Sequence, residues 1–136
     1  MGKYVALINA DIRVVKQYVE GVDEAEVNIA AYHCQQAVEK ICAYACQVNG
    51  KKTIRTHKIG AWVEYLDSVG LRVPDIIRRL YLDITEWESK SRYDINFMAV
   101  RKDILDVAVA CENWLSDLLN KSDSLGIKNG GINLTQ

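Results

Sequence analysis

The sequence predicts an all-α protein, an antiparallel up-and-down bundle of four to five helices. Apolar residues recur at three- and four-residue spacing through most of the chain, the mark of helices with one buried face. No stretch alternates apolar and polar residues for five or more positions as a half-buried strand would. The connections are short, which makes successive helices antiparallel neighbours. At 136 residues the chain suits one domain. Residues 1–121 are expected to form the bundle and 122–136 a flexible tail.

The first helix is expected over residues 3–20. Val5, Ile8, Ile12, Val15 and Val19 make its stripe, and Tyr4, Leu7, Val14 and Tyr18 widen it. Gly21 ends it. Asp23 is a suitable N-cap for the second helix, with Glu26 at capping-box spacing. That helix runs to about Val48, where Asn49-Gly50 stops it. Its middle, Ala30 to Cys46, has two faces. Ala31, Cys34, Val38, Ile41 and Ala45 form an apolar stripe, while Tyr32, Gln36, Glu39 and Ala43 follow the same spacing beside it. A core helix has no need of a Tyr-Gln-Glu row, so the row asks for a partner, a ligand or a subunit.

Residues 51–57, KKTIRTH, read as a basic connection. A third helix, about Lys58 to Val69, has Ile59, Trp62, Val63, Leu66 and Val69 as its apolar face. Gly70 stops it. Pro74 suits the first turn of a fourth helix, which carries Ile77, Leu80, Tyr81, Ile84 and Trp87 and ends near Lys90. SRYDINF, 91–97, breaks the pattern. The fifth helix, about Ala99 to Lys121, places Val100, Ile104, Val107, Cys111, Trp114 and Leu118 on one face.

Composition narrows the function classes. Hydrophobic content of 49% and charged content of 26% are ordinary for a globular domain. A net charge of −1 argues against broad attraction to nucleic acid or an anionic membrane, though not against a local basic patch. No apolar run approaches the ~18 residues of a membrane span. The N-terminal stretch, with Asn9, Asp11 and Arg13, does not read as a signal peptide, and a cytoplasmic location is expected. Cys34, Cys42, Cys46 and Cys111 include no Cys-x-x-Cys pair and read as core-filling thiols. No metal site or cofactor is expected.

Standard catalytic motifs are missing. There is no His-Glu-x-x-His, no Gly-x-Gly-x-x-Gly and no Walker-type loop. His33 reads first as a partly buried, hydrogen-bonded ring. His57 stands in a loop after Lys51, Lys52 and Arg55, whose charges should disfavour its protonated form. It is a helix-start residue packed on the bundle, or a phosphate contact made with the lysines. Arg92-Tyr93-Asp94 can be a turn locked by an Arg-Asp pair, or can offer a guanidinium and an aromatic face to a base or phosphate. Trp62, Trp87 and Trp114 lie on apolar faces and read as core.

Three motifs in order carry a resemblance. Ala31-Tyr32-His33-Cys34-Gln35-Gln36-Ala37-Val38-Glu39-Lys40 resembles the helix signature of HEPN-domain proteins. Thr56-His57-Lys58-Ile59 resembles that family's Thr-His motif. Ser91-Arg92-Tyr93-Asp94 resembles its late Arg-Tyr motif, without the proline often found after the tyrosine. The resemblance covers roughly residues 3–120. It implies an antiparallel helical bundle, often a homodimer, with a role toward nucleotides or RNA. One branch of the family consists of metal-independent ribonucleases and toxins carrying Arg, four to six residues, then His. The other consists of small partners of a minimal nucleotidyltransferase, in toxin–antitoxin-like or substrate-binding pairs.

The ribonuclease spacing is absent. The required positions before His33 hold Asn28, Val27 and Glu26, and those before His57 hold Lys52, Lys51 and Gly50. The favoured expectation is therefore a non-enzymatic nucleotide-binding or partner-binding module. Its ligand-binding candidates are Tyr32, Gln36, Glu39, Lys51, Lys52, His57, Arg92 and Tyr93, lining one cleft. The second expectation is a ribonuclease toxin with a degenerate site, His57 acting as general acid or base and Arg92 stabilising phosphorane charge. The third is a structural dimerisation module with the Tyr32/Gln36/Glu39 row as its seam.

Overall fold

A computed structural model describes residues 2–125, and they form six helices: α1 (Gly2–Tyr18), α2 (Glu24–Val48), α3 (Ile59–Ser68), α4 (Asp75–Arg79), α5 (Tyr81–Tyr93) and α6 (Arg101–Ser124). Helix α2 is the centre of the bundle and packs on α1, α3, α5 and α6. Its apolar stripe is fully used: Ala31, Cys34, Val38, Ile41 and Ala45 are all buried. Val38 and Ile41, buried this way, contribute about 1.5–3 kcal/mol of transfer free energy each. Trp62, Trp87 and Trp114 are core residues, as their spacing implies.

The two sides of α2 are fixed by different chemistry. Toward α6, the Cys34 thiol faces the Ile104 carbonyl, and Asn49 at the far end of α2 bonds to the Lys121 ammonium. These two contacts align α2 and α6 in the same direction. Toward α1, Asp11 is buried and reaches across to α2. The start of α2 follows its capping code. Asp23 Oδ1 accepts from the Glu26 N–H at 2.9 Å, and Glu26 Oε1 accepts from the Val22 N–H at 3.1 Å.

Gly21 serves this turn for a reason other than the left-handed cap expected of it. Its φ is not positive, but a Cβ placed there would lie 2.4 Å from Glu26 Cβ. At the other end of α2, Gly50 does adopt φ 68°, the left-handed conformation that a glycine tolerates without steric cost.

Three boundaries depart from the sequence pattern. The expected fourth helix is two, α4 and α5, because Leu80 turns out of helical geometry at φ −103°, ψ 19°. Leu80 is buried, and its carbonyl still accepts from the Ile84 N–H. The bend thus lets one continuous apolar pattern follow the curve of the core. Helix α5 also extends past Lys90 to Tyr93, so Arg92 and Tyr93 lie on a last helical turn rather than in a loop. Helix α6 continues beyond Lys121 to Ser124, and Ser122 is buried. The rest of the expected tail, 126–136, lies outside the described residues. Among the described residues, no helix is long and apolar enough to cross a membrane.

Candidate functional site

The Tyr32–Gln36–Glu39 row of α2 finds its partners inside the chain. Seven residues of helix, about 10 Å, separate Tyr32 from Glu39. At the Tyr32 end stands Arg92, on the last turn of α5. Its guanidinium lies 4.8 Å from the centroid of the Tyr32 ring and 4.8 Å from that of Tyr93. It is held there from its own helix. Nε donates to the Glu88 carbonyl at 2.9 Å, and a terminal nitrogen donates to the Glu88 carboxylate at 2.5 Å. The Glu88 side chain is only 17% exposed, so this pair is better shielded than an ordinary surface bridge. Tyr93 itself is exposed, which leaves an aromatic face and a guanidinium open at this end.

At the Glu39 end stands His57, in the connection before α3. Its Nδ1 donates to the Glu39 carboxylate at 2.8 Å. That hydrogen bond, together with the carboxylate charge and a smaller contribution from Glu88, raises the His57 pKa above its ordinary value. Partial burial and Arg92 oppose the rise. The neighbouring cations were expected to act the other way. They do not prevail because the carboxylate, not a lysine, faces the ring nitrogen.

Gln35 links Glu39 to Gln36. It is completely buried. Its Nε2 donates to the Glu39 carboxylate, and its Oε1 accepts from Gln36 Nε2 at 2.7 Å. Glu39 is therefore held by both Gln35 and His57, which share one carboxylate oxygen, Oε2.

The connection carrying His57 is fastened to α3. Trp62 Nε1 donates to the Thr56 carbonyl at 3.2 Å, and the Tyr65 hydroxyl donates to the Lys52 carbonyl. The next backbone N–H, of Ile59, is taken by the Thr85 hydroxyl of α5 at 2.9 Å.

Tyr32, Gln36, Glu39, His57, Arg92 and Tyr93 thus form one band along α2 and α5. Lys51 and Lys52 do not join it. The Lys51 N–H caps α2 by bonding to the Cys46 carbonyl at 2.8 Å. Cys46 is seven residues, or about 10 Å, along α2 from Glu39. Both lysines are exposed at that end of the helix. The Arg-Asp lock expected within 92–94 is not the one formed, since Arg92 pairs with Glu88.

Three members of the polar system escaped the sequence reading. Gln35 sits among apolar neighbours, Ala31 and Val38, at helical spacing, and an amide in such a place is a sign of a buried bridge. Glu88 is four residues before Arg92, the ordinary spacing of a helical ion pair. Asp11 interrupts the Ile8–Ile12–Val15 stripe of α1. Its carboxylate bonds to His33 Nδ1 at 2.8 Å and to Lys40 Nζ at 2.6 Å. His33 is therefore the half-buried, hydrogen-bonded ring expected of it. Its ring also meets the edge of Tyr32, with centroids 5.3 Å apart.

The band has the chemistry of recognition: aromatic faces at Tyr32 and Tyr93, a planar cation at Arg92, and at His57 an imidazole whose protonated form Glu39 favours. Among the described residues, no group of His, Cys, Asp and Glu side chains could hold a metal ion. A cavity of about 570 Å³ lies elsewhere, between Asn49, Arg72 and Trp114, and contains none of the band's residues.

A family model described as HEPN domain matches residues 15–119. No curated protein and no solved structure gives a match.

Proposed function

The chain belongs to the HEPN domain family, and from that premise we propose that it is a non-enzymatic module that binds a nucleotide, or a nucleotide-bearing partner, through the Tyr32–Arg92 band. In this reading it acts as a homodimer paired with a minimal nucleotidyltransferase, in a toxin–antitoxin-like or substrate-binding role. The observation that carries the proposal is the placement of Arg92 between the Tyr32 and Tyr93 rings, with Glu88 fixing its plane. A guanidinium anchored by Glu88 beside two aromatic rings is positioned to meet a phosphate, and the exposed Tyr93 ring to meet a base, with little Arg92 rotamer entropy left to lose. Gln36 offers an amide at the same band for a base edge. Arg92→Ala is the test. It should weaken binding of adenosine monophosphate, or of the partner enzyme, by about tenfold or more, while the melting temperature changes little. Equal affinity in variant and wild type overturns the reading.

One observation favours a second reading, a ribonuclease with a rearranged site. Arg92 lies near enough to His57 to oppose its protonation. An Arg and a His that the sequence does not space as a pair are therefore within electrostatic reach of each other in the fold. His57 would exchange the proton and Arg92 would hold the developing phosphorane charge. Cleavage of labelled RNA by the pure protein, insensitive to chelator and lost in His57→Ala, supports it. No cleavage at high protein concentration removes it.

A further inference from the structure

A cleft of about 460 Å³ opens beside the His57–Glu39 pair, and Arg92 lies outside it. Its size falls within the range of small-molecule sites. Tyr4 of α1 and Trp62 of α3 supply aromatic wall. Lys40 and Arg55 bring cationic nitrogen, and His57 an imidazole, from α2 and from the connection before α3.

The charges are unequally engaged. Lys40 is held by Asp11, and His57 by Glu39. Arg55 is exposed and has no acidic partner among the described residues. Glu39 is the single carboxylate in the lining. Its bonds from Gln35 and His57 offset its repulsion of an anion. The Asp11 carboxylate lies behind Lys40 and leaves that ammonium further donors. The arrangement is a fixed lysine, a histidine and a free arginine around one opening, against two aromatic rings.

We propose that this cleft binds a phosphate monoester, its phosphate between Lys40, Arg55 and His57 and its organic portion against Tyr4 and Trp62. The proposal deepens the nucleotide-binding reading and rests on it for the ligand class. It places the phosphate contact at Lys40 and Arg55 rather than at Lys51, Lys52 or Arg92. Arg55 supplies the bidentate hydrogen bonds that fit phosphate geometry, and Lys40 supplies a positioned point charge. The monoester comes either from a free mononucleotide or from the phosphorylated end of an oligonucleotide.

The test is titration calorimetry of the full chain with adenosine monophosphate, adenosine, and a short RNA with and without a 5′-phosphate. Adenosine monophosphate should bind and adenosine should bind at least tenfold more weakly. Arg55→Gln should weaken the phosphate compound by about tenfold and leave the melting temperature unchanged, because Arg55 is exposed and unpaired. Tighter binding of the 5′-phosphorylated RNA than of the mononucleotide assigns the site to an RNA end, and the reverse order to a free nucleotide. Equal affinity of adenosine and its monophosphate, or no binding of any phosphate compound, overturns the proposal.

The two sites separate cleanly in the variants. Binding lost in Arg92→Ala but unchanged in Arg55→Gln overturns the cleft and keeps the Arg92 band. Binding lost in Arg55→Gln but unchanged in Arg92→Ala supports the cleft and contradicts the band as the nucleotide contact.

Discussion

His57 and Glu39 stand eighteen residues apart in the chain and meet through Nδ1 and a carboxylate oxygen at 2.8 Å. The bond raises the His57 pKa in the folded protein, because it favours the protonated ring. A group whose pKa is raised by folding stabilises fully below its unfolded value, about 6.5 for histidine. That stabilisation is lost as pH rises through the folded value. The stability gap between wild type and His57→Gln should therefore be wider near about pH 5.5 than at about pH 9. The effect is small, since the His57 side chain is 67% exposed to screening solvent. Denaturant melts across that range check it. A gap that widens with rising pH contradicts the assigned bond.

Asp11 is the acid that holds α1 to α2, with one oxygen on His33 and the other on Lys40. Its removal leaves two half-buried cationic or polar groups without their acceptor. Asp11→Ala should destabilise the fold by about 1–3 kcal/mol. Asp11→Asn keeps the shape and one acceptor and should cost less. Urea denaturation compares the two. Equal stability of Asp11→Ala and wild type would remove the bridge from the account.

Much of this architecture was legible in the chain because it depends on local periodicity. The stripes of α1, α2 and α6 and the cap at Asp23 are short-range codes, and they hold except at Leu7 and Val100, which are exposed. The bend at Leu80 was not legible, since the apolar spacing runs through it without interruption. Its cause is the curve of the packed core, a tertiary effect. The site was half legible. Tyr32, Gln36 and Glu39 announce themselves as a polar row on a helix that has no use for one. Which residues answer that row depends on how α5 and the His57 connection pack against it. Arg92 and His57 arrive there and Lys51 and Lys52 do not, because the lysines lie past the turn that ends α2. Gln35 and Asp11 were hidden inside apolar stripes, where a polar residue is easily passed over.

Asn28 ties the α5–α6 connection to the start of α2. Its Nδ2 donates to the Phe97 carbonyl at 2.9 Å, and its Oδ1 accepts from the Ala99 N–H at 3.2 Å. Both bonds are part-buried, so Asn28→Ala should cost about 1–2 kcal/mol. Hydrogen exchange at the Ala99 amide should quicken by more than at core amides such as that of Ile41. An unchanged Ala99 exchange rate would show that the connection is held by other contacts.

The four cysteines are free and buried. Burial pushes the Cys111 thiol up to about 12 and raises Cys34, Cys42 and Cys46 as well. Thiolate is the reactive form, so native protein should react slowly with a thiol-specific disulfide reagent. All four should react promptly once the protein is unfolded. Fast reaction of any of them under native conditions would contradict the packing of α2 against α6.

The decisive titration compares wild type with Arg92→Lys, using adenosine monophosphate or the purified partner enzyme as titrant. Lysine keeps the positive charge at the end of α5 but loses the planar face that lies against Tyr32 and Tyr93. If the stacked guanidinium is the recognition element, affinity falls by about tenfold while the melting temperature stays within a few degrees. Undiminished affinity in Arg92→Lys would contradict it, and would leave Arg92 as no more than the partner of Glu88.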